Sequence, residues 1–197
     1  MNQNTDFAAL IGSRICHDLI SPIGAINNGL ELMEMSQPSN SQEMDLIAES
    51  VTNASARIRF FRIAFGAADT QMVGRPEVVS ILKDNYISSR LSVVWEPEDA
   101  QPRRLVRLSF LATLCMESVM PYGGRVEISI EHGQVVLTGH ADKFNVDESL
   151  WAMLENGAEE SDLRPAHVQF GLLPTHATAE GHTLKVERAE NTVRISL

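Results

Sequence analysis

Apolar residues recur along the first third of the chain at steps of three and four. Ile11, Ile15, Leu19, Ile23, Ile26, Leu30 and Met33 form one stripe, widened by Cys16 and Ile20. That period predicts a single amphipathic helix from about residue 5 to 35. Pro22 lies inside it and removes one backbone donor, so a kink is expected a turn beyond His17. The cluster Gln37-Pro38-Ser39-Asn40-Ser41 ends this helix and offers Ser41 as the N-cap of the next. Met44, Ile47, Val51, Ala54, Ile58, Phe61 and Phe65 then follow the a/d spacing of a heptad, predicting a second helix from about 42 to 66.

Two long helices joined by a short loop make an antiparallel hairpin. A lone hairpin leaves much of so broad an apolar face in water. A second copy would cover it, giving a homodimer with a central four-helix bundle. Docking of the hairpin onto the rest of the same chain is the competing solution.

After Gly66 the texture changes. Ala67 to Gly74 reads as a linker, Pro76 starts a helix to about Ser88, and Leu91–Trp95 reads as a strand. A helix is expected from about Arg103 to Met120, ending at Pro121-Tyr122-Gly123-Gly124. Arg125–Glu131 and Gln134–His140 alternate about His132-Gly133, which is a hairpin signature. Helices near 147–155 and 164–178 precede a last hairpin, Thr183–Arg188 with Thr192–Leu197. The fold class expected is α+β: a helical hairpin over residues 1–68, then an α/β sandwich of antiparallel strands and covering helices over 69–197.

Composition narrows the function. Hydrophobic residues make up 44% of the 197 and charged residues 21%, as in an ordinary globular protein. No apolar run approaches the roughly 18–20 residues of a membrane span, and the first residues lack the parts of a secretory signal. Cys16 and Cys115 lie in apolar helical patterns without metal-ligand spacing, so buried reduced thiols in a cytoplasmic protein are expected. A formal charge of −10 argues against nucleic acid as a partner.

The chemistry-bearing stretch is Cys16-His17-Asp18-Leu19-Ile20-Ser21-Pro22-Ile23. Helical geometry puts Arg14, His17, Ser21, Gly24, Asn28 and Glu31 on one face, about opposite the apolar stripe. An exposed histidine on an anchored helix suits a phosphoryl acceptor, with Asp18 placed to orient the ring or take its proton. It equally suits a solvated histidine on a charged face. Arg57, Arg59 and Arg62 lie on the polar sides of the second helix, where they either meet an acidic partner or stay solvated. Phe60 beside them is either a docking anchor or a core contact in the dimer. His132, His140, His167, His176 and His182 lack metal-ligand spacing, and Trp95 and Trp151 read as core.

His17-Asp18-Leu19-Ile20-Ser21-Pro22-Ile23 resembles the H-box of bacterial histidine kinases. Leu111–Val119 with Pro121-Tyr122-Gly123-Gly124-Arg125-Val126 is similar to the kinase ATP-domain helix that runs into a Gly-Gly turn and strand. Phe170-Gly171-Leu172-Leu173, with Ala179-Glu180-Gly181-His182-Thr183-Leu184-Lys185-Val186, resembles the second glycine box and the strand beyond it. The departures are as telling. No asparagine lies between Arg103 and Met120, where Thr113, Cys115 and Glu117 stand. Asp142 is followed by no glycines, and Gly171 is all that remains of the phosphate lid.

With the H-box kept and these boxes missing, the chain resembles the ChpT-type histidine phosphotransferases of alphaproteobacteria, and more distantly the sporulation phosphotransferase B of bacilli. That resemblance implies a homodimer with a central four-helix bundle and a degenerate ATPase-like domain that binds no ATP. It implies that His17 takes a phosphoryl group from the receiver domain of a hybrid histidine kinase and passes it to a response regulator. Asp18 would be the acidic neighbour, with Ser21 and Pro22 shaping the docking face. No cofactor resides in the chain on this reading; the receiver brings the Mg²⁺. Three other readings compete: a divergent ATP-dependent histidine kinase, a dimeric scaffold for response regulators, and the metal doublet of an HD phosphohydrolase.

Overall fold

The computed structural model describes residues 6–35, 41–67, 70–156 and 163–197. Helix α1 (Phe7–Met35) starts where Asp6 accepts the Ala9 N–H at 3.1 Å, an N-cap that satisfies one orphan donor, and it runs unbroken through Pro22. Helix α2 (Ser41–Ala64) begins at Ser41 itself; the preceding turn, 37–40, and the proposed boundary at 68–69 lie outside the described residues. The two helices come close at Gly29, where a Cβ would stand 2.6 Å from Ile47 Cγ1.

The heptad seam of α2 divides. Ala54 and Phe61 are buried, whereas Met44, Val51 and Ile58 are exposed, as are Ile20, Ile23 and Leu30 of α1. The last turns of α2 belong to the main core of the second half. Phe60, Ile63 and Ala64 have no exposed surface, and the Phe60 ring stacks on Phe110 with centroids 4.6 Å apart. Phe60 is therefore core.

The second half follows as β1 (Met72–Val73), α3 (Arg75–Tyr86), β2 (Leu91–Trp95), β3 (Gln101–Pro102), α4 (Arg103–Val119), β4 (Gly124–Glu131) and β5 (Gln134–His140). It continues with α5 (Glu148–Asn156), a 3₁₀ turn (Pro165–His167), α6 (Val168–Ala179), β6 (Lys185–Ala189) and β7 (Thr192–Ser196). Helix α4 is buried on nearly every side and lies at the centre, with Leu108, Phe110, Leu111 and Met116 fully buried. The five-stranded sheet has the order β2-β4-β5-β7-β6. Alternation along β4, β5 and β7 buries Val126, Ile128, Val135, Leu137, Val193 and Ile195. His132 and Gly133 both take positive φ (53° and 81°), which matches the type I′ geometry expected of that two-residue turn.

Three expectations are corrected. The sheet is mixed, because β2 pairs parallel to β4 across the α4 crossover. Met72 and Val73 of the expected linker form a strand that pairs with Gln101 and Pro102, a ladder too short to leave a pattern. Cys115 is buried but Cys16 is exposed, since it shares the uncovered side of α1 with Ile20 and Ile23.

Because Phe60 ties α2 to the second half, Phe60→Ala is expected to cost about 3–5 kcal/mol. Urea melts followed by circular dichroism would show a lower midpoint at an unchanged m-value.

Candidate phosphoacceptor site

His17 lies near the middle of α1 with its side chain 82% exposed, while that of Asp18 is only 10% exposed. The two are joined: His17 Nδ1 stands 3.1 Å from Asp18 Oδ1. An ionised carboxylate only accepts, so Nδ1 carries the proton of the neutral ring. The lone pair is then on Nε2, the ring atom farther from the backbone.

The other oxygen of Asp18 is held by arginines. Arg14 Nε, one helical turn earlier, donates to Oδ2 at 2.7 Å, and Arg57 Nη1 of α2 approaches it at 3.8 Å. Arg14 also donates through Nη1 to the carbonyl oxygen of Ala166, in the 3₁₀ turn before α6. Arg57 Nε is fixed by Asn53 Oδ1 at 3.1 Å. Asp18 therefore presents one oxygen to the imidazole and gives the other to guanidinium groups from two helices.

Beneath this group lies a cavity of about 250 Å³, lined by Arg14, Asp18, Asn53, Arg57, Asn85, Tyr86, Ser88, Ser89 and Glu117 among others. Glu117 of α4 is the acid at its floor. Burial pushes its carboxyl above the ordinary glutamate range, while Arg14 and Arg57 pull it back. Its Oε2 accepts a long hydrogen bond, 3.4 Å, from the Tyr86 hydroxyl of α3, itself pushed upward by burial and by the Glu117 charge. Four helices thus meet behind one exposed histidine.

The C-terminal part decides the family. Residues 75–192 match the model of the histidine phosphotransferase C-terminal domain. The chain belongs to this histidine phosphotransferase family. Protein phosphotransferase ChpT of Brucella abortus (strain 2308) is 38% identical over 129 residues, which are 64% of this chain and 61% of that protein. The aligned region thus spans about three fifths of the relative's length. A solved bacterial phosphotransferase aligns over 100% of this chain and 97% of its own, at 30% identity and a TM-score of 0.83. The fold shared with that structure is a helical hairpin followed by an α/β sheet domain.

In this family member the residues proposed for docking are spread over several roles. Ser21 and Asn28 are exposed on the His17 side, Gly24 is half-buried, and Pro22 is buried, where it shapes the helix without offering surface. Arg14 is turned inward to Asp18 and Ala166. Arg59 and Arg62 are directed to α3 instead of to His17. Arg59 donates to Asp84 at 2.8 Å and Ser80 at 3.1 Å, and Arg62 pairs with Glu77 at 3.6 Å.

The remnants of the kinase boxes are dispersed as well. Thr113 donates its hydroxyl to the Ser109 carbonyl inside α4, and Cys115 is fully buried. Asp142 is exposed beyond β5. A Cβ at Gly171 would stand 2.8 Å from the Phe7 ring and 2.9 Å from Leu163, so this glycine lets α1 lie on α6. Among the described residues, no group of three or more His, Cys, Asp or Glu is placed to hold a metal ion. The sequence reading named Glu117 only as an occupant of the asparagine region, and it missed Tyr86 and Ala166. The available signal for Glu117 is that it is the one acid of α4.

The raised carboxyl of Glu117 makes stability depend on pH. Between the ordinary glutamate range and its raised value, the folded chain holds a proton that the unfolded chain has released. Its contribution is complete at low pH and lost as pH rises through that window. His167 and His176, which burial holds below the ordinary histidine range, act oppositely and lose their contribution as pH falls. Glu117→Gln leaves both histidines in place. Urea midpoints over a pH series should show the wild type losing stability relative to Glu117→Gln as pH rises above the glutamate range.

Proposed function

We propose that this chain is a relay station that accepts a phosphoryl group on His17 Nε2 from a receiver-domain aspartate and returns it to the aspartate of a second receiver. The carrying observation is the exposed imidazole whose Nδ1 is occupied by a shielded Asp18. The Nε2 lone pair attacks phosphorus, the P–O bond to the donor aspartate breaks, and that aspartate leaves as a carboxylate. The ring gains positive charge as the N–P bond forms. Asp18 stabilises it through Nδ1–H, with its second oxygen held by the arginines. Onward transfer reverses these steps on a new aspartate. A hybrid histidine kinase would supply the first receiver and response regulators the second, with Mg²⁺ entering in the receiver's own acidic pocket.

The reading has no ATP step. It is supported by α4 having no asparagine, by Asp142 lying exposed beyond its strand and by Gly171 serving contact with Phe7. A homodimer is supported by the exposed apolar side chains of the hairpin, Ile20, Ile23, Leu30, Leu32, Met44, Leu46, Val51 and Ile58. A second copy would cover them as the other half of a four-helix bundle. No described helix is long and apolar enough to cross a membrane. A relay of this kind works in the cytoplasm, where its receivers reside.

Incubation with a ³²P-labelled receiver is expected to label the wild type, and His17→Gln to abolish the label while light scattering still reports a dimer. Labelling directly from ATP and Mg²⁺ would make the chain a kinase. Receiver binding without transfer would make it a scaffold.

A further inference from the structure

Resting on the relay reading of His17, we propose that Arg14 is a positioning residue through which the second half of the chain holds the phosphoacceptor histidine in its reactive tautomer. Arg14 sits one helical turn before Asp18, and its guanidinium has two employers. Nε donates to Asp18 Oδ2 at 2.7 Å, and Nη1 donates to the carbonyl of Ala166, 152 residues further along the chain. Its side chain is only 15% exposed, so the charged head is committed inward and is not part of the surface a partner meets. The planar fork of arginine joins two acceptors in fixed relative positions, and lysine with its single ammonium does not.

The backbone that carries Ala166 is itself anchored. The 3₁₀ turn runs straight into α6, and α6 receives Phe7 of α1 at Gly171. The phosphoacceptor helix is thus fixed to the second half at two places, one apolar and one polar, on either side of residue 10. Arg57 assists from α2 at 3.8 Å, too far for a short hydrogen bond, and is more exposed at 38%. Among the described residues, Arg14 alone both makes a short bond to Asp18 and reaches the second half.

Without that bond the largely buried Asp18 Oδ2 loses its near partner, and the carboxylate is free to turn toward Arg57 or water. His17 Nδ1 then loses its acceptor. The ring proton redistributes to Nε2, where it blocks the lone pair that must attack phosphorus. A residue that only stabilised the fold would leave the tautomer of the folded protein unchanged.

The test is ¹⁵N NMR of histidine-labelled full-length protein under conditions where His17 is neutral, with His17→Gln identifying its signals. In the wild type the proton is expected on Nδ1. Arg14→Gln should move it substantially to Nε2 and slow receiver labelling by roughly tenfold or more. Arg14→Lys, the milder change, keeps the charge without the bridge and should fail to restore the wild-type tautomer. A His17 tautomer unchanged in folded Arg14→Gln, or fully restored by Arg14→Lys, would overturn the proposal. The tautomer needs no receiver for its measurement. A wild type that shows the Nδ1 proton but takes no label would sink the relay reading and leave the role of Arg14 standing.

Discussion

The burial of the last turns of α2 inside the second half is the constraint on which the rest depends. Phe60, Ile63 and Ala64 are sealed among α3, α4 and their neighbours, with Phe60 stacked on Phe110. Each large side chain buried in this way is worth about 1.5–3 kcal/mol. The contact fixes the end of the hairpin against α4, and Gly171 with Phe7 fixes the start of α1 against α6. His17 lies between these two attachments. The hairpin therefore has two apolar surfaces, a closed one packed on its own chain and an exposed one around Val51, Ile58, Ile20 and Ile23.

From that geometry the chemistry of the site follows. A carboxylate beside a histidine is held in one orientation only if its second oxygen has a partner, and Asp18 finds two guanidinium groups. The same guanidiniums face Glu117, which burial biases toward its neutral form. Ala166, Tyr86 and Glu117, all from the second half of the chain, stand behind the exposed histidine.

What could be read from the sequence follows the range of each interaction. The helices were legible because their period is local, and so was the pairing of His17 with Asp18. The I′ turn at His132-Gly133 was legible from two residues. Chain direction was not, because β2 beside β4 is settled by tertiary packing. The two-residue strands β1 and β3 carry no alternation to detect. Arg59 and Arg62 read as a free polar face, since Asp84 and Glu77 reach them only once α3 has docked. Arg14 was placed on the right helix but given the wrong neighbours, because Ala166 is 152 residues away.

Nε2 of His17 is the proposed carrier of phosphate. ³¹P NMR of the chain after phosphorylation by a receiver, recorded undenatured with a ¹⁵N-labelled histidine ring, identifies that atom directly. The expected result is a single phosphoramidate coupled to Nε2 of His17. Phosphate on Nδ1, on Asp18 or on any other side chain would contradict it.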